Sequence, residues 1–167
     1  IANPSKPLHE TTDAEWHSLF NINLKSVLHT TRHGIDALRV SKGCILNTSS
    51  LVGVIGQEIH AAYTATKGAM NTLTKSMALD YAKDGIRVNA VCPAGTWAPM
   101  LREWASHQPD PAGISKSLDD IHPLGYCPEG DVIADACVFL LPDKARFAPG
   151  PIIPISGGAE IGYRRNS

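Results

Sequence analysis

The sequence lacks several features that mark large classes of proteins. Its 167 residues contain no apolar run of eighteen residues, so no membrane-spanning helix is predicted. The formal net charge is −1 and the pI is about 6.7, and no basic excess indicates binding to nucleic acid or anionic lipid. Apolar residues make up 43% and charged residues 19%, as in an ordinary globular α/β protein. We therefore expect one domain over residues 1–167, with neither nucleic-acid nor membrane partners.

Patterns typical of disulfides and metal sites are also missing. The four cysteines, Cys44, Cys92, Cys127 and Cys137, show no C-x-x-C spacing, and the seven histidines form no H-E-x-x-H pattern. Cys44 and Cys92 lie in apolar segments that read as buried strands. The sequence therefore predicts reduced structural thiols in a cytoplasmic protein, without a catalytic metal.

Alternating helix and strand patterns run along the chain. Thr12 and Glu15 fit a capping box ahead of a helix whose apolar spacing extends to Leu38. Short apolar strands are predicted at 44–48, 86–91 and 152–155, with helices at about 60–82 and 129–141 between them. Pro154 favours an edge position for the last strand, and Gly85 suits a left-handed turn. This alternation predicts an α/β fold with a parallel sheet.

One stretch, residues 50–67, carries the chemistry. Tyr63 and Lys67 lie four residues apart, which places the phenol and the ammonium on one face of a helix. A nearby cation is expected to lower the phenol's pKa towards the range useful for proton transfer. Ser50 follows a predicted strand, where its hydroxyl is placed to share a substrate oxygen with the phenol.

Two other interpretations compete with a proton-transfer site at these residues. Tyrosine and lysine four residues apart also occur by chance on solvated helix faces. A serine hydrolase built on Ser50 is a second alternative, although the G-x-S-x-G elbow is absent. Labelling with a fluorophosphonate would distinguish it.

Several motifs occur together with this pair. They are N-T-S-S at 47–50, Y-T-A-T-K at 63–67 and I-R-V-N-A-V-C-P-A-G at 86–95. From about residue 1 to residue 158 the sequence resembles the classical short-chain dehydrogenase/reductase family. The resemblance implies a Rossmann-like, doubly wound parallel sheet and hydride transfer between NAD or NADP and an alcohol or carbonyl substrate.

The resemblance also implies what this sequence does not contain. No T-G-x-x-x-G-x-G or G-x-G-x-x-G turn is present, and the sequence starts where the family's N-N-A-G motif ends. The first four strands, the phosphate-binding turn and the residue that selects NAD or NADP are therefore expected to be absent. Strand 44–48 would then lie at an open edge of the sheet, and the 167 residues expressed alone would bind either nucleotide no better than millimolar and would aggregate.

Residue roles follow from the matched positions. Tyr63 would be the general acid–base, Ser50 would bind the substrate oxygen, and Lys67 would bind the nicotinamide ribose as well as lower the pKa of Tyr63. Asn23, on the apolar stripe of its helix, matches the family's active-site asparagine, which holds a water beside the lysine.

The turn against the nicotinamide matches four residues after the second strand: Pro93, Ala94, Gly95 and Thr96. Two positions depart from the family pattern. Ala94 replaces a glycine of the turn. Ala98 replaces the threonine that binds the carboxamide, which removes a hydroxyl from the cofactor site.

Substrate identity is less defined by the sequence. Residues 97–128 are expected to form a substrate lid, against the simpler interpretation of a surface loop with one short helix. Gln57, His60, Trp97 and Trp104 are the candidate substrate-binding residues, and their mixture of stacking and hydrogen-bonding groups favours a sugar or sugar acid. Steroid, acyl and secondary-alcohol substrates stay open.

A homotetramer or homodimer is expected, built on the helices at 16–38 and 60–82, because relatives pair these helices. The alternative is a truncated or non-catalytic subunit of the same fold with a structural role. Tyr163, Arg164 and Arg165 are predicted to form a short, solvated basic tail.

Overall fold

A computed structural model describes residues 1–2 and 4–162; the predicted tail at 163–165 lies outside them. Helix α1 spans Asp13–Phe20 and passes through a π-helical turn, Asn21–Lys25, into α2, Ser26–Ser41. Strand β1 is Cys44–Thr48, and α3 is Ala61–Tyr81. After β2, Arg87–Pro93, come α4, Pro99–Ser106, and α5, Pro111–Asp120. Helix α6, Gly130–Leu140, and strand β3, Ile152–Ile155, follow.

Local sequence signals explain the ends of these elements. The Thr12 hydroxyl accepts a hydrogen bond from the Glu15 amide at 3.3 Å, while the Glu15 carboxylate accepts one from the Thr12 amide at 2.8 Å. The predicted capping box is therefore confirmed. Gly85 adopts a φ of 75° after α3, as predicted, and Lys42 ends α2 at a φ of 50°.

The three strands form a parallel sheet in the order β1-β2-β3. The α/β class and the parallel sheet are confirmed, and both β1 and β3 lie at edges, as predicted. Side chains alternate between the two faces of a strand. Val88 packs with Met77 and Ala78 of α3, whereas Arg87 donates to the Leu140 carbonyl at the end of α6 at 2.7 Å. Helices α3 and α6 therefore cover opposite faces of the sheet.

The structure differs from the sequence-based expectations in two places. The single helix expected from Thr12 to Leu38 contains a π-helical turn, where one extra residue per turn changes the direction of the side chains. Residues 97–128 contain two helices, α4 and α5, and so differ from the simpler interpretation of a surface loop with one short helix; the substrate lid stays a prediction. Within the described residues, no helix is both long and apolar enough to cross a lipid bilayer.

Candidate active site

The carboxyl end of β1 places the first catalytic candidate. Thr48 is the last residue of β1, and the Ser49 amide donates to the Val91 carbonyl of β2 at 2.8 Å. The chain then turns through a 3-10 segment, Leu51–Gly53, for which Ser50 is the N-cap. Ser50 therefore stands where the sheet ends and the chain turns towards α3.

Helix α3 carries the other two candidates near its N-terminus. The Ser50 hydroxyl lies close enough to the Tyr63 phenol to lower its pKa, so the structure brings together the two groups that the sequence proposed. The Lys67 ammonium lies 5.7 Å from the centre of the Tyr63 ring and donates to the Thr48 carbonyl at 2.9 Å. Strand β1 and helix α3 thus converge on one cluster of a hydroxyl, a phenol and an ammonium.

The electrostatics of this cluster correct one expectation. Burial raises the pKa of the Tyr63 phenol, and the Ser50 hydroxyl opposes that shift. The Lys67 ammonium is directed to the Thr48 carbonyl rather than to the phenol oxygen. Burial likewise lowers the pKa of Lys67 itself. The pKa of Tyr63 therefore lies above its usual value in this structure, where a net lowering was expected; the contribution of Lys67 stays a prediction.

Asn23 is buried in the π-helical turn, and its side chain is hydrogen-bonded to Thr66 of α3. Its Nδ2 donates to the Thr66 hydroxyl at 3.0 Å, and that hydroxyl donates to the Tyr63 carbonyl at 2.7 Å. Asn23 Nδ2 also donates to the Ile1 carbonyl at 3.0 Å. The polar side chain is thus satisfied, and it is linked to the residue next to Lys67 in sequence.

The predicted nicotinamide turn leaves the sheet at the end of β2. The Ala94 amide donates to the Ile155 carbonyl at 3.3 Å, and the Thr96 hydroxyl donates to the Ala94 carbonyl at 3.3 Å. A Cβ added to Gly95 would come within 3.2 Å of the His122 ring. This turn is therefore held by β3 and by the segment that follows α5.

His122 is a residue of this region to which sequence reasoning gave no function. Its side chain is 1% exposed, and Nδ1 donates to the Leu118 carbonyl at 2.7 Å. Its ring also lies against Gly157, where an added Cβ would stand 3.2 Å from the His122 Cβ. A histidine among prolines gives no periodic signal, so only the tertiary structure shows this packing.

The four candidate substrate residues lie in two groups. Gln57 is exposed, and His60 has Nδ1 3.0 Å from the Glu58 carbonyl and Nε2 2.8 Å from the Ser5 hydroxyl. Trp97 and Trp104 belong to the other group, before and within α4.

The tryptophans are placed by different contacts. The Trp97 amide donates to the Pro128 carbonyl at 2.8 Å, and the Arg102 guanidinium lies 5.1 Å from the centre of the Trp97 ring. Trp104 is 47% exposed. These contacts do not involve Ser50 or Tyr63.

Asn71 is a further residue that sequence reasoning missed. It lies one helical turn beyond Lys67, so positions 63, 67 and 71 share one face of α3. The side chain is 8% exposed and its Nδ2 donates to the Gly53 carbonyl at 3.0 Å. An asparagine that continues the four-residue spacing of Tyr63 and Lys67 is the signal that would have identified it.

Comparison with known proteins extends these observations. The family model described as enoyl-(acyl carrier protein) reductase matches residues 1–160. The L-fucose dehydrogenase of Bos taurus is 38% identical over 158 residues, which cover 95% of this chain and 58% of the relative. The cis-4-hydroxycyclohexanecarboxylate dehydrogenase of Sinomonas cyclohexanicum is 34% identical over 159 residues, covering 95% of this chain and 61% of the relative.

A solved structure shares the fold over the same extent. The gluconate 5-dehydrogenase of Burkholderia cenocepacia, in complex with NADP and tartrate, superposes with a TM-score of 0.87 at 26% identity. The alignment covers 96% of this chain and 62% of that one. The chain thus spans about three-fifths of the length of the proteins that it matches. By its sequence and its fold, the chain belongs to the short-chain dehydrogenase/reductase family.

Proposed function

We propose that the protein containing this chain is an NAD(P)-dependent oxidoreductase that interconverts an alcohol and the corresponding carbonyl compound. The observation that carries the proposal is that Ser50, at the end of β1, converges on Tyr63 and Lys67, which lie one helical turn apart on α3. A hydroxyl and a phenol that lie side by side can both bind the same oxygen atom of a substrate, and the phenol can move its proton.

Each group has a separate task in this proposal. Tyr63 takes the hydroxyl proton of an alcohol, or returns it to a carbonyl oxygen. Ser50 donates a hydrogen bond to that oxygen and keeps it in line with the phenol. Bound nicotinamide supplies the hydride acceptor or donor, a chemistry that no protein side chain provides.

The residues present fit a nicotinamide nucleotide. The Lys67 ammonium is half-buried, and burial lowers its pKa, so further oxygen acceptors such as ribose hydroxyls would stabilise its charge. The Tyr63 hydroxyl lies on the same face of α3. The turn formed by Pro93, Ala94, Gly95 and Thr96 would lie against the nicotinamide. Ala98 offers no hydroxyl, so the carboxamide would depend on other donors.

Residues 97–128 would act as the substrate lid, and the candidate substrate-binding residues remain Gln57, His60, Trp97 and Trp104. A sugar or sugar acid is the proposed substrate class. It is supported by the names of the bovine and Burkholderia relatives, an L-fucose and a gluconate dehydrogenase. The cyclic hydroxy acid in the name of the Sinomonas relative makes an alicyclic alcohol the second class to test.

The proposed assembly is a homotetramer or homodimer in the cytoplasm. An apolar groove of about 320 Å³ lies between α2 and α3, lined by Leu28, Ile35 and Leu73 among others. Arg32 and Asp80 also line it, and a twofold axis would let the arginine of one copy meet the aspartate of the other. The four free thiols suit a reducing compartment.

Replacing the phenol tests the proposed chemistry. In the full-length protein, Tyr63→Phe is expected to lower kcat at least about a hundredfold, the size of a lost general acid–base. Turnover is measured by NAD(P)H absorbance with a panel of sugars and alicyclic alcohols. Tyr81→Phe, on the same helix, is the matched control and should leave kcat within about twofold. Wild-type turnover by Tyr63→Phe would contradict the mechanism, and a wild-type protein without turnover on any alcohol would favour the non-catalytic alternative.

A further inference from the structure

Several contacts fix the turn that follows Ser50 onto helix α3. The Ser49 hydroxyl donates to the Lys67 carbonyl at 3.1 Å, and the Lys67 ammonium donates back to the Thr48 carbonyl at 2.9 Å. On the other side of Ser50, Asn71 Nδ2 donates to the Gly53 carbonyl at 3.0 Å. Ser50 is thus held between two attachments to the helix that carries Tyr63.

The geometry at Gly53 shows how closely the two elements approach. A Cβ added there would lie 2.6 Å from the Lys67 carbonyl carbon and 2.9 Å from Asn71 Nδ2. Backbone therefore lies directly on backbone at this point. A small displacement of Gly53 would be transmitted to Ser50, because the Gly53 amide donates to the Ser50 carbonyl at 3.0 Å.

Cys92 determines which way the Asn71 amide points. Its thiol donates to Asn71 Oδ1 at 3.5 Å, and its side chain is fully buried on β2. Because the thiol engages Oδ1, the donor group Nδ2 is left facing the Gly53 carbonyl.

We propose that Asn71, oriented by Cys92, is a positioning residue that fixes the Ser50 hydroxyl against the Tyr63 phenol by holding the Gly53 carbonyl. Asn71 touches neither substrate nor nucleotide; it acts through Ser50. The inference rests on the proposed function, since it assigns Asn71 to the same reaction. A misplacement of a reacting group by about 1 Å costs on the order of a hundredfold in rate.

The test compares Asn71 variants with a matched control in the full-length protein. Asn71→Leu removes the donor, and Asn71→Asp replaces it with an oxygen that repels the Gly53 carbonyl. Thr74→Val is the control, because the Thr74 hydroxyl accepts from Asn47 Nδ2 at 2.9 Å in the same buried interface, one turn farther along α3. The expected results separate the two positions. Both Asn71 variants should lower kcat about ten- to a hundredfold, with less than about a threefold change in KM for the nucleotide. The Thr74→Val variant should be less stable than the wild type but keep kcat within about twofold.

A double-mutant cycle distinguishes positioning from a general loss of stability. In a Ser50→Ala background, Asn71→Leu should no longer lower kcat, because the group that Asn71 positions is gone. Additive losses would overturn the inference, and so would equal effects of Asn71→Leu and Thr74→Val.

Amide hydrogen exchange gives a readout that needs no turnover. Exchange at Gly53 and Val54 should accelerate in Asn71→Leu and stay at the wild-type rate in Thr74→Val. Unchanged exchange in Asn71→Leu would overturn the inference even if the enzyme were active. An absence of wild-type turnover would instead overturn the proposed function, while the exchange measurement would still decide whether Asn71 holds the turn.

Discussion

At the scale of single residues, the state of Tyr63 depends on two opposing effects. Burial removes water from the phenol and disfavours the phenolate, which raises the pKa. The Ser50 hydroxyl stabilises the phenolate and lowers the pKa, but by less than burial raises it. Ser50 therefore has two effects in the proposed reaction: it orients the substrate oxygen and it makes the phenol more acidic.

The first prediction at this scale concerns pH. Ser50→Ala removes the hydroxyl that opposes the raised pKa of Tyr63, so the phenol should keep its proton to a higher pH. Alcohol oxidation, which requires the phenolate, should then set in at higher pH than in the wild type. The measurement is the dependence of log(kcat/KM) on pH in the full-length protein.

Ser50→Thr is the control for this shift in pH, because threonine also carries a hydroxyl on its Cβ atom. Its profile should lie closer to that of the wild type than the Ser50→Ala profile does. If Ser50→Ala lowers the rate equally at every pH, the hydroxyl contributes orientation alone.

At the scale of elements, the site exists because the Leu51–Gly53 turn lies directly on α3. Only a residue without a side chain permits that approach, since an added Cβ at Gly53 would stand 2.7 Å from the Lys67 carbonyl oxygen. Backbone atoms cannot yield as a flexible side chain can. The position of Gly53 therefore fixes the distance between the end of β1 and the helix.

We expect Gly53→Ala to lower the free energy of unfolding by about 1–3 kcal/mol, as overpacking does elsewhere. The same change should lower kcat, because the turn must move away from Lys67. Gly56→Ala is the matched control: it lies three residues on, and a Cβ there meets nothing within 4 Å. Its stability should stay within about 0.5 kcal/mol of the wild type. Urea denaturation measures both, and equal stabilities would contradict the close approach.

At the scale of the whole molecule, the groove between α2 and α3 is the feature that points to assembly. Leu28 is 50% exposed and lines this groove, as do the charged side chains of Arg32 and Asp80. An apolar groove that also carries one cation and one anion is self-complementary under twofold symmetry.

The assembly prediction compares two positions on one helix. Leu28→Glu introduces charges that face each other across the proposed interface, and it should shift the full-length protein towards monomer in sedimentation velocity at micromolar concentration. Val40→Glu, also on α2 but 87% exposed and outside the groove residues, should leave the assembly intact. An unchanged oligomer with Leu28→Glu, or a monomeric wild type, would place the interface elsewhere.

Local signals were enough to predict much of the fold. The Thr12–Glu15 capping box, the left-handed Gly85 and the parallel strands follow from residues close together in sequence or from the length of apolar runs. The π-helical turn around Asn23 could not be predicted in this way, because one extra residue in a turn barely disturbs helical periodicity.

The sequence by itself determined the family, the positions of Ser50, Tyr63 and Lys67 and the order of helices and strands, because each rests on spacing along the chain. Only the tertiary structure decided the direction of the Tyr63 pKa, since burial depends on every element that packs around the phenol. The attachment of Gly53 to Asn71 and of Asn71 to Cys92 likewise joins residues 18 and 21 positions apart. Such contacts form only when the sheet, the turn and the helix have met, and no local pattern records them.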